Sequence, residues 1–261
     1  MTTGGPALHT GIATDVGRVR EHNEDAAFAR GSIYLVADGM GGHAAGEVAS
    51  GITAQALGEL SGRSDLRVAD IVAQVGVAND RILRMVTEQP DHYGMATTLT
   101  GVALVVVGGS QHWAVFNLGD SRVYRFIDGQ LTQVTVDHSE VQELIDAGLL
   151  TPAEARVHPL RHTVTRSLGR DVLPPVDTWL FPPCPGERFV VCSDGLTNEV
   201  EDAEIRDILA AGRDVQSTAQ ALVDRAVDNG GRDNVSVVVV ELADFPAPEV
   251  DEDTTPRGGL S

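Results

Sequence analysis

Apolar residues recur along the chain in two rhythms. Over residues 47–60, Val48, Ile52, Ala56 and Leu60 stand four apart, the spacing of a helix with one buried face. A longer helix is expected over 68–86, where Val68, Ile71, Val72, Val75, Ile82 and Val86 share a stripe. Elsewhere, short apolar runs that stop at turn residues predict strands. Two come early, at 24–29 and 33–37, the second ending at Asp38-Gly39. Four follow at 97–107, 113–118, 123–127 and 131–134, with Asp128-Gly129 as a two-residue hairpin signal between the last pair. Residues 139–170 read as a mobile, partly helical excursion in which Thr151-Pro152-Ala153-Glu154 has the form of a capping box. A strand at 189–192 ends at Ser193-Asp194-Gly195. Helices are then expected near 202–210 and 217–227, the second stopped by Asn229-Gly230-Gly231, before a last strand at 235–242. Strands in runs and helices in pairs favour an α+β fold over a doubly wound parallel sheet.

Length and charge narrow the picture. The 261 residues suit one large domain or two small ones, and length alone leans slightly toward two. Asp and Glu number 38 against 19 basic residues, a net charge of −19, and every basic residue is Arg. Without lysine there is no Schiff-base amine, no Walker Gly-Lys-Thr loop and no ATP-pairing kinase lysine. Such a negative chain is a poor partner for DNA, RNA or an anionic membrane, whose phosphates would repel it. Hydrophobic content of 42% is ordinary for a globular protein, so the acidity does not signal wholesale disorder. The end of the chain differs: Asp244, Glu249, Asp251, Glu252 and Asp253 with three prolines predict a disordered acidic tail over 243–261. The start lacks the basic and apolar regions of a signal peptide, and the longest apolar run, 102–107, is far short of the roughly 20 residues that span a bilayer. With only Cys184 and Cys192, a cytoplasmic protein is expected, with Cys192 as a small buried hydrophobe.

The candidate chemistry lies in the aspartates. Asp38, Asp120 and Asp194 each follow, or nearly follow, an expected strand; Asp233 precedes one and Asp25 starts another. Carboxylates at strand ends can be aimed rigidly at one point, and several together must either protonate or take up cations. Oxygen ligands without His or Cys favour Mg²⁺ or Mn²⁺ over Zn²⁺. Taken singly, an Asp-Gly after a strand is more often just a turn. Gly39-x-Gly41-x-x-Ala44 imitates a dinucleotide fingerprint, but Asp38 would repel the pyrophosphate and the βαβαβ context is missing. Residue pattern alone thus stops at a divalent-metal site.

Five segments together go further. They are Thr14-Asp15-Val16-Gly17-Arg18-Val19-Arg20-Glu21-His22-Asn23-Glu24-Asp25, Val36-Ala37-Asp38-Gly39-Met40-Gly41-Gly42-His43, Asn117-Leu118-Gly119-Asp120-Ser121-Arg122, Cys192-Ser193-Asp194-Gly195-Leu196 and Gly231-Arg232-Asp233-Asn234. In order and spacing the chain resembles the metal-dependent Ser/Thr protein phosphatases of type 2C, especially the compact bacterial members. The likeness runs from about Leu8 to Leu242 and replaces the two-domain expectation with one domain over 8–242. It implies two packed antiparallel β-sheets flanked by pairs of helices, a four-layer αββα sandwich.

The resemblance also implies roles. Asp38 would bridge two Mn²⁺ or Mg²⁺ ions, with Asp25, Asp194, Asp233 and the Gly39 carbonyl completing the ligands, and Asp120 would help hold a third, weaker ion. Glu24 would accept a hydrogen bond from metal-bound water. Arg20 would grip the substrate phosphate, for which its planar fork is suited. A water or hydroxide bridging the two ions would then attack phosphorus in line, with no covalent phosphoenzyme; neither cysteine has an Arg six residues on, so the Cys-nucleophile loop is absent. The chain departs from the family in three places. Met40 stands where many eukaryotic relatives have His, Ala96-Thr97-Thr98 where Gly-Thr-Thr is usual, and His162 where Asn is frequent. His43 is read as structural, and His138 matches the family motif without assigned chemistry. The implied function is hydrolysis of phosphoserine and phosphothreonine in proteins, opposing bacterial Ser/Thr kinases that are themselves among the expected substrates. The chain is expected to act as a monomer, with no nucleic-acid or membrane partner. An inactive regulatory module on the same fold would be marked by lost aspartates, and all are present. A two-metal nuclease would need a basic groove, which the charge opposes.

Overall fold

A computed structural model describes residues 7–41 and 44–244 of the chain. Its organising fact is visible at Val237, Val238, Val239 and Val240, four successive strand residues all fully buried. Side chains alternate across a strand, so an unbroken apolar run requires both faces of the sheet to be covered. Both are. One sheet has the order β1 (Ala7–Asp15), β11 (Val235–Asp244), β10 (Arg188–Cys192), β7 (Arg122–Ile127) and β8 (Gln130–Gln133). The other runs β2 (Asp25–Arg30), β3 (Ile33–Met40), β5 (Leu99–Val107), β6 (Ser110–Leu118) and β9 (Asp177–Phe181), with the two-residue β4 (Ala96–Thr97) beside the end of β3. Every pairing is antiparallel.

Alternate residues of the same strands feed three apolar layers. Tyr34 and Val36 of β3 meet Phe189 and Val191 of β10 and Val238 and Val240 of β11 between the sheets, around Trp113. Ile33 and Leu35 turn the other way, onto α1 (Ala44–Gly58) and α2 (Val68–Glu88) through Leu57, Ile71 and Val75. Val190 and Cys192 pack outward on α6 (Asp202–Ala210) and α7 (Val215–Asn229) through Ile205, Leu209 and Leu222. The result is the α+β four-layer sandwich. Between β8 and β9 along the chain lie α3 (Glu140–Asp146) and α4 (Pro152–Ala155), inside the 139–170 excursion; Thr151 and Glu154 close the expected capping box.

Several expected boundaries move. The strand expected at 33–37 continues through Asp38-Gly39 to Met40, because β2 and β4 extend its pairing (Asp25↔Asp38, Gly39↔Thr97). Asp38 therefore sits inside a strand, not after one. The strand expected at 97–107 breaks at Thr98, whose side chain is committed elsewhere. Ser193-Asp194-Gly195 is no simple turn: Asp194 opens the short helix α5 (Asp194–Thr197). Two strands fall outside the elements expected from the sequence. In β1, polar His9, Thr10 and Thr14 alternate around Gly11, and a Cβ there would stand 2.4 Å from the Val215 carbonyl, so glycine lets α7 lie against the edge strand. At the opposite edge of the second sheet, β9 follows two prolines. The Asp128-Gly129 hairpin is as expected, with both residues at positive φ, 51° and 74°, joining Ile127 to Gln130. His43 and residues 245–261, where most of the acidic tail was expected, lie outside the described residues.

Candidate metal centre

Register brings the first two carboxylates together: Asp25 on β2 lies directly across from Asp38 on β3. The Asp38 backbone is held by the two threonines of Ala96-Thr97-Thr98. Its N–H donates to Thr98 Oγ1 (3.0 Å), and its carbonyl accepts from the Thr98 N–H and Thr97 Oγ1 (both 2.9 Å). Those hydrogen bonds are why the strand expected at 97–107 is interrupted. Thr98 Oγ1 also meets Ser121 Oγ at 2.8 Å, tying Asp38 to the turn that presents Asp120. That turn needs Gly119, at φ 123°, where a Cβ would run into Thr98 at 2.6 Å.

The other sheet supplies the remaining pair. Asp194 begins α5 at the end of β10 and accepts from Asn198 Nδ2 at 2.9 Å. Asp233 lies just before β11, where Arg20 Nη2 donates to its Oδ2 at 2.8 Å. Gly195 lets these two segments touch: a Cβ there would be 1.9 Å from the Asn234 carbonyl oxygen. Asn234, quoted in the motif but given no role from sequence, binds the incoming loop. Its Oδ1 accepts from the Glu24 N–H (2.8 Å), and its Nδ2 donates to the carbonyls of Val16 (3.0 Å) and His22 (2.9 Å). Arg20 and Glu24 are thereby carried to the same place. A polar residue next to a site aspartate was the available signal.

The carboxyls of Asp25, Asp38 and Asp120 each feel burial and neighbouring aspartates. Burial drives the Asp25 carboxyl up to about 7, with Ser193 and Ser236 pulling it back and Asp194 and Asp233 adding to the rise. Burial likewise lifts Asp38 and Asp120 well above the usual carboxylate range; Asp25, Asp194, Asp120 and Asp233 reinforce it at Asp38, and Asp194 and Asp137 at Asp120. The cleft above them has a volume of about 1100 Å³. Asp38, Gly39, Asp120, Asp194 and Asp233 line it with Glu24 and Arg20, while Asp25 lies beneath. Its far wall is the 139–170 excursion, which contributes Arg156, Val157, Arg161 and His162. Only His162 among these stood out in the sequence; its Nδ1 is 3.9 Å from Asp194 Oδ2. Met40 lines the cleft where His is frequent in relatives. His138 lies under the site. It accepts the Gly119 N–H on Nδ1 and sets Nε2 3.0 Å from Asp177 Oδ2, with 5% of its surface exposed.

Among the described residues no three acidic, His or Cys side chains already stand at mutual ligand distance. Two observations nevertheless match a divalent ion. Asp25 Oδ1 is buried with no hydrogen-bond partner among the described residues, an arrangement that costs free energy unless a cation or proton satisfies it. The donors at hand are carboxylate and carbonyl oxygens, hard ligands suited to Mn²⁺ or Mg²⁺.

Fold and site together define an α+β sandwich with a carboxylate-lined cleft, and comparison with known proteins gives it a family. The model of the family "Protein phosphatase 2C" matches residues 17–229. The Mycobacterium tuberculosis serine/threonine protein phosphatase PstP is 40% identical over 243 residues, covering 91% of this chain and 46% of PstP. The chain thus spans about half the length of that relative. A crystal structure of the M. tuberculosis phosphatase superposes with a TM-score of 0.83 at 39% identity, covering 91% of this chain and 99% of that one. The PstP catalytic domain in complex with two manganese ions gives a TM-score of 0.81 at 38% identity, covering 91% and 99%. The chain belongs to the protein phosphatase 2C family.

Proposed function

We propose that residues 8–242 form a protein-serine/threonine phosphatase domain that hydrolyses phosphoserine and phosphothreonine in proteins with the help of two divalent ions. The observation that carries this reading is the convergence of five carboxylates from both sheets on one cleft that also holds Arg20. In this reading Asp38, Asp25, Asp194, Asp233 and the Gly39 carbonyl would hold two Mn²⁺ or Mg²⁺ ions, and Asp120 would contribute to a weaker third site. Such ions would supply Lewis acidity, making water in the site more acidic and offsetting phosphoryl charge.

The chain's own groups do the rest. Arg20 has 55% of its side chain exposed and needs only to release an exposed carboxylate to receive a phosphate in bidentate fashion. Glu24, on the cleft wall beside Asp25, accepts a hydrogen bond from water entering the site. Met40 offers no proton to the leaving alkoxide, so that proton comes from water in the open cleft. Bacterial Ser/Thr kinases are the natural counterparts of such an activity and are proposed among its substrates. A cytoplasmic setting is supported by Cys184 and Cys192 both being free thiols and by the lack, among described residues, of a helix long and apolar enough to cross a membrane.

The test is hydrolysis of a phosphothreonine peptide with Mn²⁺, with EDTA, and by Asp38→Asn. Activity that needs Mn²⁺ and falls by at least 100-fold in the variant is expected, in line with losing a bridging ligand (about 3 kcal/mol of barrier). Activity that survives chelation, or survives in the variant, overturns the reading.

A further inference from the structure

Beneath Asp25 lies a set of linked hydroxyls, one of which donates directly to its carboxylate. Ser193 and Ser236 are fully buried. Ser193 Oγ receives the Ser236 backbone N–H at 2.9 Å, and a backbone N–H can only donate, so the Ser193 hydroxyl proton turns to Asp25 Oδ2, 2.8 Å away. A second route starts at Asn23. Its Oδ1 accepts the Asp25 N–H at 3.1 Å, which fixes its amide so that Nδ2 donates to Thr14 Oγ1 at 2.8 Å. Thr14 Oγ1 also meets Ser236 Oγ at 2.8 Å, and Ser236, fully buried, favours the charged form of Asp25. Thr14 and Ser236 face each other because β1 and β11 pair them directly.

One run of donors therefore ends on the carboxylate, from the Ser236 N–H to Ser193 Oγ and from the Ser193 hydroxyl to Asp25 Oδ2, with Asn23 and Thr14 linked behind Ser236. Chains of this kind polarise one another and strengthen their last bond, here onto an anion. The relay reaches Asp25 from below, and Ser193 takes up Oδ2; Oδ1 is left buried and without a partner among the described residues. The carboxylate is thus oriented, its charge supported from the protein side, and one oxygen kept bare toward the cleft.

We propose that Ser193 and Ser236, with Thr14 and Asn23 behind them, are positioning residues that orient the Asp25 carboxyl group and reserve Oδ1 for a divalent ion. This rests on Asp25 being an ion ligand, as in the function proposed above. A merely structural role for the same hydroxyls would alter thermal stability and leave ion affinity alone.

The experiment is direct Mn²⁺ titration calorimetry on the full chain for wild type, the paired Ser193→Ala/Ser236→Ala variant, Thr14→Val and Asp25→Asn, with melting curves recorded in EDTA. The paired variant is expected to bind Mn²⁺ roughly 10–100-fold more weakly, the usual effect of removing the partners behind a ligand. Its phosphopeptide turnover should recover toward wild type when Mn²⁺ is raised to saturation. Thr14→Val, which interrupts the relay while nearly keeping side-chain shape, should weaken binding several-fold, and Thr14→Ser should restore it. A folded paired variant with Mn²⁺ affinity within twofold of wild type overturns the proposal. Should that variant not fold, Thr14→Val decides, and unchanged affinity there overturns it equally. If Asp25→Asn itself binds Mn²⁺ like wild type, the assignment of Asp25 as a ligand fails; if Asp25→Asn loses affinity and the hydroxyl variants do not, only the relay fails.

Discussion

Stripped of divalent ions, the protein is expected to lose stability as the pH rises from 5 to 8. The cause is the buried Asp25 carboxyl, displaced from 3.8 to about 7 chiefly by burial. Between those values the folded chain keeps a proton that the unfolded chain has already released. Its stabilising contribution is full below pH 4 and is lost as the pH climbs through 7. At about 1.4 kcal/mol per pH unit, the two units between pH 5 and the folded value near 7 correspond to about 3 kcal/mol of folding free energy. Asp38 and Asp120 are raised too and act in the same direction. For a domain of roughly this size, 1 kcal/mol moves the melting temperature by about 2–4 °C, so a fall on the order of 10 °C is expected between pH 5 and 8. The assay is a set of melting curves on EDTA-dialysed protein at unit pH steps, repeated for Asp25→Asn, which should flatten a large part of the slope. Saturating Mn²⁺ at pH 8 should raise the melting temperature again, since an ion that binds only the folded state stabilises it. A metal-free melting temperature that is level or rises over this range refutes the reasoning, as does an Asp25→Asn profile as steep as wild type.

Three further outcomes follow from particular contacts. Arg20→Ala should raise KM for a phosphothreonine peptide about 10–100-fold, the loss of a charge-assisted contact worth about 1.5–3 kcal/mol, while its exposed pair with Asp233 makes the melting temperature almost insensitive. Glu187→Ala, remote from the cleft, should cost about 3–5 kcal/mol by denaturant titration with kcat unchanged. It strips Arg125, the Trp113 indole N–H and the Cys184 N–H of one fully buried acceptor. Gly195→Ala should lower stability by about 1–3 kcal/mol and Mn²⁺ affinity along with it, because the new Cβ can be accommodated only by pushing β11 and Asp233 away from Asp194. Equal Mn²⁺ affinity in Gly195→Ala and wild type would count against that coupling.

The legible parts of the fold are those whose burial the side chains announce. Helices α2, α6 and α7 and the strands around Trp113, Phe189 and Val238 carry enough apolar residues to be placed within a few positions. Edge strands do not: β1 buries only Ala13 and Gly11 fully, and half its residues face water, so it reads as a polar leader. Strand β3 was cut short because Asp38-Gly39 looks like a turn from its own composition; only the pairing of Asp25 with Asp38, a long-range fact, extends it. At the site, the five aspartates and Arg20 stood out through motif spacing, and the structure brings them together. The residues that orient them were hidden for a physical reason. Thr98, Ser193, Ser236 and Asn234 act through a few hydrogen bonds each to groups near or far in sequence, and serines, threonines and asparagines are too common for any such bond to be seen in one dimension. The far wall of the cleft was hidden likewise, since Val157 and Arg161 have no periodicity to mark which side they face.

The carboxylates divide between the layers: Asp25 and Asp38 belong to one sheet, Asp194 and Asp233 to the strand ends of the other, and Asp120 to the turn crossing between them. Their spacing is consequently a gauge of how far apart the sheets lie, which the girth of Trp113, Tyr34 and Phe189 dictates; the indole sits 5.3 Å from the Phe189 ring. Thinning that filling, as in Phe189→Leu, would let the jaws of the site close, and thickening it would wedge them open. Octahedral Mg²⁺ tolerates little error in ligand distance, and larger ions tolerate more. The choice of ion can therefore drift through changes deep in the hydrocarbon interior, with every ligand left in place.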